Sequence, residues 1–303
     1  MSKNAPTIWK LSSTRAVHAD RPCLLGILNR TPDSFSDGGQ LDTLDAVVRR
    51  AQTAVDEGAD MLDIGGESTR PGAQRIDADE QINRVVPAIR AIRDAGIQCP
   101  ITIDTTLRQV AEAALDAGAD AINDVSAATE NADMLALASE RACGIILMHR
   151  RSPPDKDSFS DQYTTAPQYE NVVDDVCAYL RGRAQKAVHR GIDPSAIMLD
   201  PGLGFGKSVD QNIALIRGTG SLCSLGHPVL SALSRKSFVG RIALGRDSEP
   251  SERITGSIAC SVMHMITGAR FFRVHDVTEH RTALDAAWRL LQSPEVPPDR
   301  AGF

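Results

Sequence analysis

Aromatic residues make up only 4% of this 303-residue chain, which leaves little material for stacking the bases of a single nucleic-acid strand. An excess of positive charge is also missing. Thirty-three Lys and Arg stand against 39 Asp and Glu, a formal net charge of -6, the wrong sign for binding a polymer of phosphates. No nucleic-acid partner is expected. The longest uncharged runs, IMLDPGLGF and GSIACSVMHMITGA, are too short for a bilayer or carry polar groups, so no membrane span is expected either. The opening MSKNAPTIWKLSSTRAVHADRP has no apolar stretch before a small-residue cleavage site, which makes a cytoplasmic location the expectation. The six cysteines form no C-x-x-C pair and read as reduced, mostly buried thiols.

What is present is a globular composition, 42% hydrophobic and 24% charged, enough to build one large core. Short apolar runs alternate with amphipathic helical stretches, as in parallel strands joined by crossover helices. We count eight such runs: 24 to 29 (LLGILN), 61 to 66 (MLDIGG), 101 to 105 (ITIDT), 121 to 126 (AINDVS), 144 to 149 (GIILMH), 197 to 201 (IMLDP), 228 to 234 (PVLSALS) and 271 to 277 (FFRVHDV). Each is apolar nearly throughout, as strands covered on both faces must be. Stretches such as TLDAVVRRAQTAVDEG and EHRTALDAAWRLLQ have the three- and four-residue spacing of helices. A partial repeat, Gly58-Ala59-Asp60, Gly118-Ala119-Asp120 and Gly268-Ala269-Arg270, sits before three of the strands, its glycine serving as a left-handed helix stop. Eight units argue for an α/β fold, a single-domain (β/α)8 TIM barrel over residues 23 to 293, in preference to an open doubly wound sheet. Residues 1 to 22 form an N-terminal extension and 294 to 303 a tail. The first twenty or so residues, the segment 150 to 169 and the tail are rich in Pro, Ser and charge and read as loop or frayed end.

In such a barrel the chemistry sits at the carboxyl ends of the strands. Those ends are unusually polar here. They carry Asn29, the loops RTPDSFSDGG and GGESTRPGA, Asp104, Asn123, His149, Asp200 followed by PGLGFGKS, Ser234 with Arg235 and Lys236, and Arg273 with His275. The run GLGFGKS is not a P-loop, because Gly202 leaves three residues where Walker A spacing needs four. It reads as a close-approach backbone under a flat ring.

The strings GILNRTPDSFSDGG, DIGGESTRPGA, TIDT, INDVS, LDPGLGFGK, SRKSFVG and RVHDV resemble those of dihydropteroate synthases, in the same order and over nearly the whole chain. The resemblance implies condensation of 6-hydroxymethyl-7,8-dihydropterin pyrophosphate with p-aminobenzoate, with Mg2+ assistance, in a homodimer that sulfonamides target. It implies a pterin pocket of Asp104, Asn123, Met148, Asp200, Phe205 and Lys236. Carboxylates, an amide and a cation can match the alternating donors and acceptors of an aminopyrimidinone edge. Taken singly, each has a plainer reading: Asp104 as the cap of a helix near Leu107, Asp124 and Asp200 in rim ion pairs, and Lys236 as a partner for one of them. The resemblance further implies pyrophosphate contacts from Asn29, Thr69, Arg70, Arg273 and His275, with Asn29 near the metal. It places p-aminobenzoate against Phe35, Thr69, Pro71, Ser234, Arg235 and Ser237. Asp104, Lys236 and Asp33 are the candidate catalytic residues, the carboxylates offsetting positive charge on the pterin methylene.

No nucleophile-base pair is found, and none is required, since an aryl amine is neutral near pH 7. A pterin-barrel methyltransferase would share the Asp and Asn positions but has no use for an anion pocket or an SRKS block. A binding protein without chemistry, or a Lys236 Schiff-base aldolase, are further alternatives. Arg30, Ala232 and the longer segment after His149 depart from the family pattern and leave loop conformation and sulfonamide sensitivity open. The apolar helix GSIACSVMHMITGA is suited either to burial against the barrel or to pairing of two subunits.

Overall fold

The computed structural model describes residues 7 to 30 and 43 to 293. The first segment is a hairpin, β1 (Ile8–Lys10) paired antiparallel with β2 (Ala16–His18). The barrel strands follow: β3 (Cys23–Asn29), β4 (Met61–Gly65), β5 (Ile101–Asp104), β6 (Ala121–Asp124), β7 (Gly144–Met148), β8 (Ile197–Asp200), β9 (Leu230–Ser231) and β10 (Phe271–Val274). Their order is β8-β7-β6-β5-β4-β3-β10-β9, with every pair parallel. A parallel bridge from Leu199 to Val229 joins the two ends, closing the sheet on itself. The seventh strand is shorter than its apolar run suggests, two ladder residues and one bridge.

Helices α1 (Leu44–Asp56), α2 (Ala78–Asp94), α3 (Arg108–Asp116), α4 (Met134–Glu140), α5 (Val172–His189), α6 (Val209–Arg217), α7 (Thr219–Cys223), α8 (Ser237–Leu244), α9 (Ile254–Thr267) and α10 (Val277–Gln292) form the outer ring. Local chemistry starts several of them. Thr43, Asp77 and Asn171 accept backbone N–H groups at the starts of α1, α2 and α5, and Ser208 with Gln211 makes a capping box at α6. The main core lies between these helices and the strands, a layer of buried Leu, Ile, Val and Ala.

The G-A-D repeat has a structural meaning beyond its glycine. Asp60 Oδ2 accepts from Leu24 N and Asp120 Oδ2 from Ile101 N, each at 2.8 Å, so each aspartate caps the first residues of the preceding strand in the barrel. An arginine then neutralises each, Arg281 at 3.1 Å and Arg93 at 2.8 Å. Gly58, Gly118 and Gly268 have φ of 101°, 111° and 134°, as the helix-stop reading requires.

A correction concerns the N-terminus. Residues 8 to 18 are not a frayed end. Trp9 is fully buried, donates its indole N–H to Ala196 O at 2.9 Å and meets Phe271 edge-on at 6.2 Å. With Leu11 it packs against Cys23, Leu25, Met61, Ala121, Ile146, Met198, Leu230 and Phe271, filling the lower end of the barrel. The segment 150 to 169 is irregular apart from one 3-10 turn at Pro154–Lys156, as read from its composition.

Candidate active site

Successive residues of a strand face opposite sides, so the residues two and four places beyond the apolar plug share its inward face. Counting upward from that plug, and on β5 from the buried Thr102 level with it, reaches Asn29, Asp63, Asp104, Asn123, Met148, Asp200, Ser234, Arg273 and His275. The polar strand ends therefore converge at one mouth because they share parity with the core below.

Arg273 is the centre of this group. Its Nε donates to Asp63 Oδ2 at 2.6 Å and its Nη2 to Asp104 Oδ2 at 2.9 Å. Asp63 Oδ1 also accepts from Asn123 Nδ2 at 3.2 Å and from the Thr102 hydroxyl. One guanidinium thus sits between two buried carboxylates. Burial, opposed by Arg273 and reinforced by the charge of Asp63, pushes the Asp104 carboxyl up to about 7. Asp104 Oδ1 and Asn123 Oδ1 are buried without a hydrogen-bond partner. Buried acceptors left unpaired cost free energy, and both come from facing positions of β5 and β6, where N–H groups of a ligand would satisfy them.

Asp200 and Lys236 form the opposite side. Asp200 Oδ1 accepts from Gly202 N at 2.6 Å, and burial raises its pKa against the pull of the Lys236 charge. Burial lowers Lys236 to about 8, despite attraction to Asp200. Its ammonium donates to Leu203 O at 2.5 Å and lies 4.3 Å from the centre of the Phe205 ring. Gly204, at φ 85°, makes room for it: a Cβ there would come within 2.8 Å of Lys236 Cδ. Part of the glycine run thus clears a lysine stem. Phe205, Met148 and Val125 pack together as a small apolar wall beside these charges.

The plainer readings of Asp104 and Asp124 fail on the geometry. Helix α3 starts with no side-chain cap at Leu107, and Thr105, not Asp104, holds that turn through Leu107 N at 3.2 Å. Asp124, on the opposite parity, accepts from Ser126 N and Oγ at 2.7 Å each and from Ala128 N at 2.8 Å, a turn rather than an ion pair.

The remaining candidates fall around the rim. His275 Nδ1 is 3.3 Å from Ser234 Oγ, which also accepts His275 N at 3.2 Å. Burial, then the charges of Arg273, Arg235, Arg70 and Lys236, hold His275 well below its ordinary pKa, so near pH 7 it is a neutral hydrogen-bonding ring. Arg235 has φ 60° and places its fork on Asp276, with Nε at 3.0 Å and Nη2 at 2.5 Å. Ser237 is buried at the first turn of α8. Thr69, Arg70 and Pro71 lie in the loop after β4, which Gly72 N ties to Pro154 O at 2.8 Å. The same loop is held at Arg75, which pairs with Glu130, and Glu130 in turn with Arg150. Asp33 and Phe35 fall outside the described residues.

Asn29, at the end of β3, has its Oδ1 3.2 Å from the place a Cβ would take on Gly65. No group of three or more His, Cys, Asp or Glu gathers to hold a metal among the described residues. Among the described residues at this mouth, a magnesium ion arriving with a diphosphate would find Asn29 as a neutral oxygen donor.

Two residues at this mouth are absent from the sequence reading. Asp63 sits inside MLDIGG, where a carboxylate on the inward parity of an apolar strand is the available signal. Lys207, in GLGFGKS, is buried against the carbonyls of Gly202 and Phe205, and no local pattern signals that.

A family model described as pterin binding enzyme matches residues 25–275. The dihydropteroate synthase of Synechocystis sp. is 41% identical over 273 residues, 89% of this chain and 91% of that protein. The chain belongs to the dihydropteroate synthase family. A dihydropteroate synthase structure from Xanthomonas albilineans with 4-aminobenzoic acid superposes with a TM-score of 0.84 at 38% identity, covering 95% of this chain and 99% of that one. A second structure from that organism, in complex with 7,8-dihydropteroate, gives a TM-score of 0.80 at 36% identity, covering 93% and 98%. The barrel described above is thus a dihydropteroate synthase fold.

Proposed function

We propose that this enzyme joins 6-hydroxymethyl-7,8-dihydropterin pyrophosphate to p-aminobenzoate, giving 7,8-dihydropteroate and pyrophosphate in folate biosynthesis. The observation that carries this reading is the pair of unpartnered acceptors, Asp104 Oδ1 and Asn123 Oδ1, facing the Asp200 and Lys236 side of one mouth. The pterin ring lies between them, its N–H groups on Asp104, Asn123 and Asp200, its acceptors toward Lys236, and its face on Met148 and Phe205.

The diphosphate end takes Arg273, whose Nη1 makes no hydrogen bond among the described residues, together with His275, Asn29, Thr69 and Arg70. When bound, Mg2+ supplies charge neutralisation on the diphosphate oxygens, and Asn29 is the residue that would hold it. The bond between the pterin methylene and the diphosphate breaks with its electron pair leaving on oxygen. Asp104, with Asp33, offsets the positive charge left on the methylene. The amine of p-aminobenzoate, oriented by Phe35, Thr69, Pro71, Ser234, Arg235 and Ser237, attacks that carbon and then loses its proton. His275 contributes a hydrogen bond, not a charge.

The test is to mix both substrates with Mg2+ and follow pyrophosphate release alongside the formation of 7,8-dihydropteroate. Equal yields of the two products support the reading. Pyrophosphate release with both substrates present but no 7,8-dihydropteroate formed overturns it.

We infer further that the working form is a homodimer in the cytoplasm. Ile242, Leu244, Met263 and Ile266 of α8 and α9 are exposed large apolar side chains on adjacent helices, a face suited to a second copy. Sedimentation of the wild type against a Met263→Glu variant tests this. No helix among the described residues is long and apolar enough to cross a membrane.

A further inference from the structure

Lys207, the last residue of GLGFGK, is fully buried, and the hydrogen bonds of its ammonium go to carbonyls and a ring nitrogen, none to a carboxylate. Its ammonium has three N–H groups and four acceptors: Gly202 O at 2.9 Å, Phe205 O at 2.9 Å, His149 Nδ1 at 3.0 Å and, more distant, His149 O at 3.4 Å. A buried cation satisfied by backbone carbonyls and a neutral ring is costly to desolvate, and burial lowers its pKa to about 7. Such a group is retained where its hydrogen bonds hold something that nothing else holds. Here that is the turn from 202 to 206, whose three glycines have φ of 66°, 85° and 59° and whose backbone has no ladder to complete.

The outer side of this turn is fastened separately. Asp157 accepts from Gly206 N at 3.0 Å, Tyr169 donates to Gly206 O at 2.9 Å, and Asn212 accepts from Gly204 N at 2.7 Å. On the inner side Lys207 ties the carbonyls of Gly202 and Phe205 to each other and to His149, a cross-link that no other side chain makes among the described residues. That inner side carries three contacts to the pterin pocket: Leu203 O and the Phe205 ring against the Lys236 ammonium, and Gly202 N on Asp200. His149, the third acceptor, continues the link to β8, its own N–H donating to Asp200 O at 3.0 Å.

We propose that Lys207 is a positioning residue for the pterin pocket: it fastens the 202 to 206 turn from inside, and so sets where Lys236, Phe205 and Asp200 meet the ring. With no exposed surface it touches no substrate. Its effect falls on recognition of the pterin and leaves the aryl amine site, built from other loops, unchanged. This rests on the pterin reading given above.

The experiment compares wild type with Lys207→Met, which keeps the length and loses every donor, and Lys207→Gln, which keeps two. Steady-state KM for each substrate and calorimetric titration with the pterin pyrophosphate are measured on variants whose thermal unfolding is cooperative. Lys207→Met is expected to raise the pterin KM about tenfold or more and to leave the p-aminobenzoate KM within about twofold, with Lys207→Gln between it and wild type. Where Lys207→Met does not fold, the same split in Lys207→Gln decides. Unchanged constants, or equal losses for both substrates, overturn the proposal. A wild type that itself does not bind the pterin pyrophosphate overturns the pterin reading instead, which separates the two failures.

Discussion

The two ends of this barrel use the same chemistry to opposite ends. At the lower end, Asp60 and Asp120 each meet an arginine and a strand N–H, and the hairpin around Trp9 seals the interior with apolar side chains. At the upper end, Asp63 and Asp104 also meet an arginine, yet Asp104 Oδ1 and Asn123 Oδ1 are left buried and unpaired. The lower carboxylates have both oxygens paired and serve to fasten strands. The upper set is left open, and in a folded protein an open set of buried acceptors marks where a ligand completes the structure. Stability and function are thus separated along the barrel axis.

That separation can be broken by substitution. The largest effect is expected from Trp9→Ala, which removes a fully buried indole from the floor: a loss of about 3–5 kcal/mol in chemical unfolding, with KM unchanged in the protein that remains folded. A change in KM would show that the two ends are coupled. Next is Asp104→Asn. It should lower kcat/KM about a hundredfold while leaving the melting temperature equal or higher, because the ionised carboxylate is held in a buried site that opposes it. A melting temperature several degrees lower would mean that Asp104 fastens the barrel as Asp60 does.

Gly204→Ala should cost about tenfold in kcat/KM, since its new methyl would displace the Lys236 stem. The shallowest effect, spread over several pH units, is in the pH dependence of stability. The Asp104 pKa is raised in the folded state, so its contribution is fully present below the unfolded value of 3.8 and is lost as pH rises toward about 7. Unfolding measured between pH 4 and pH 7 should therefore show a declining component, at most about 1.4 kcal/mol per pH unit for one proton, that is absent in Asp104→Asn.

Much of this molecule was legible in its order of residues. The eight apolar runs, the helix-stop glycines and the polar strand ends are local patterns, and local patterns survive without tertiary information. The N-terminal hairpin was not legible, because the burial of Trp9 depends on Ala196 and Phe271, far along the chain. Asp63 was hidden by its apolar neighbours, and Lys207 by a motif it resembles but does not satisfy. Nor is the pairing of Arg235 with Asp276, 41 residues on, legible in the chain.

What the sequence by itself determined is the alternation of strand and helix and the inward parity that sends Asn29, Asp104, Asn123, Asp200 and Arg273 to one mouth, since strand period is a property of the backbone. What only the tertiary structure decided is pairing. Arg273 and Asp63 are 210 residues apart, and only closure of the barrel puts them 2.6 Å from each other. Which acceptors such closure satisfies, and which it leaves for a ligand, depends on distances between strands that no local pattern records.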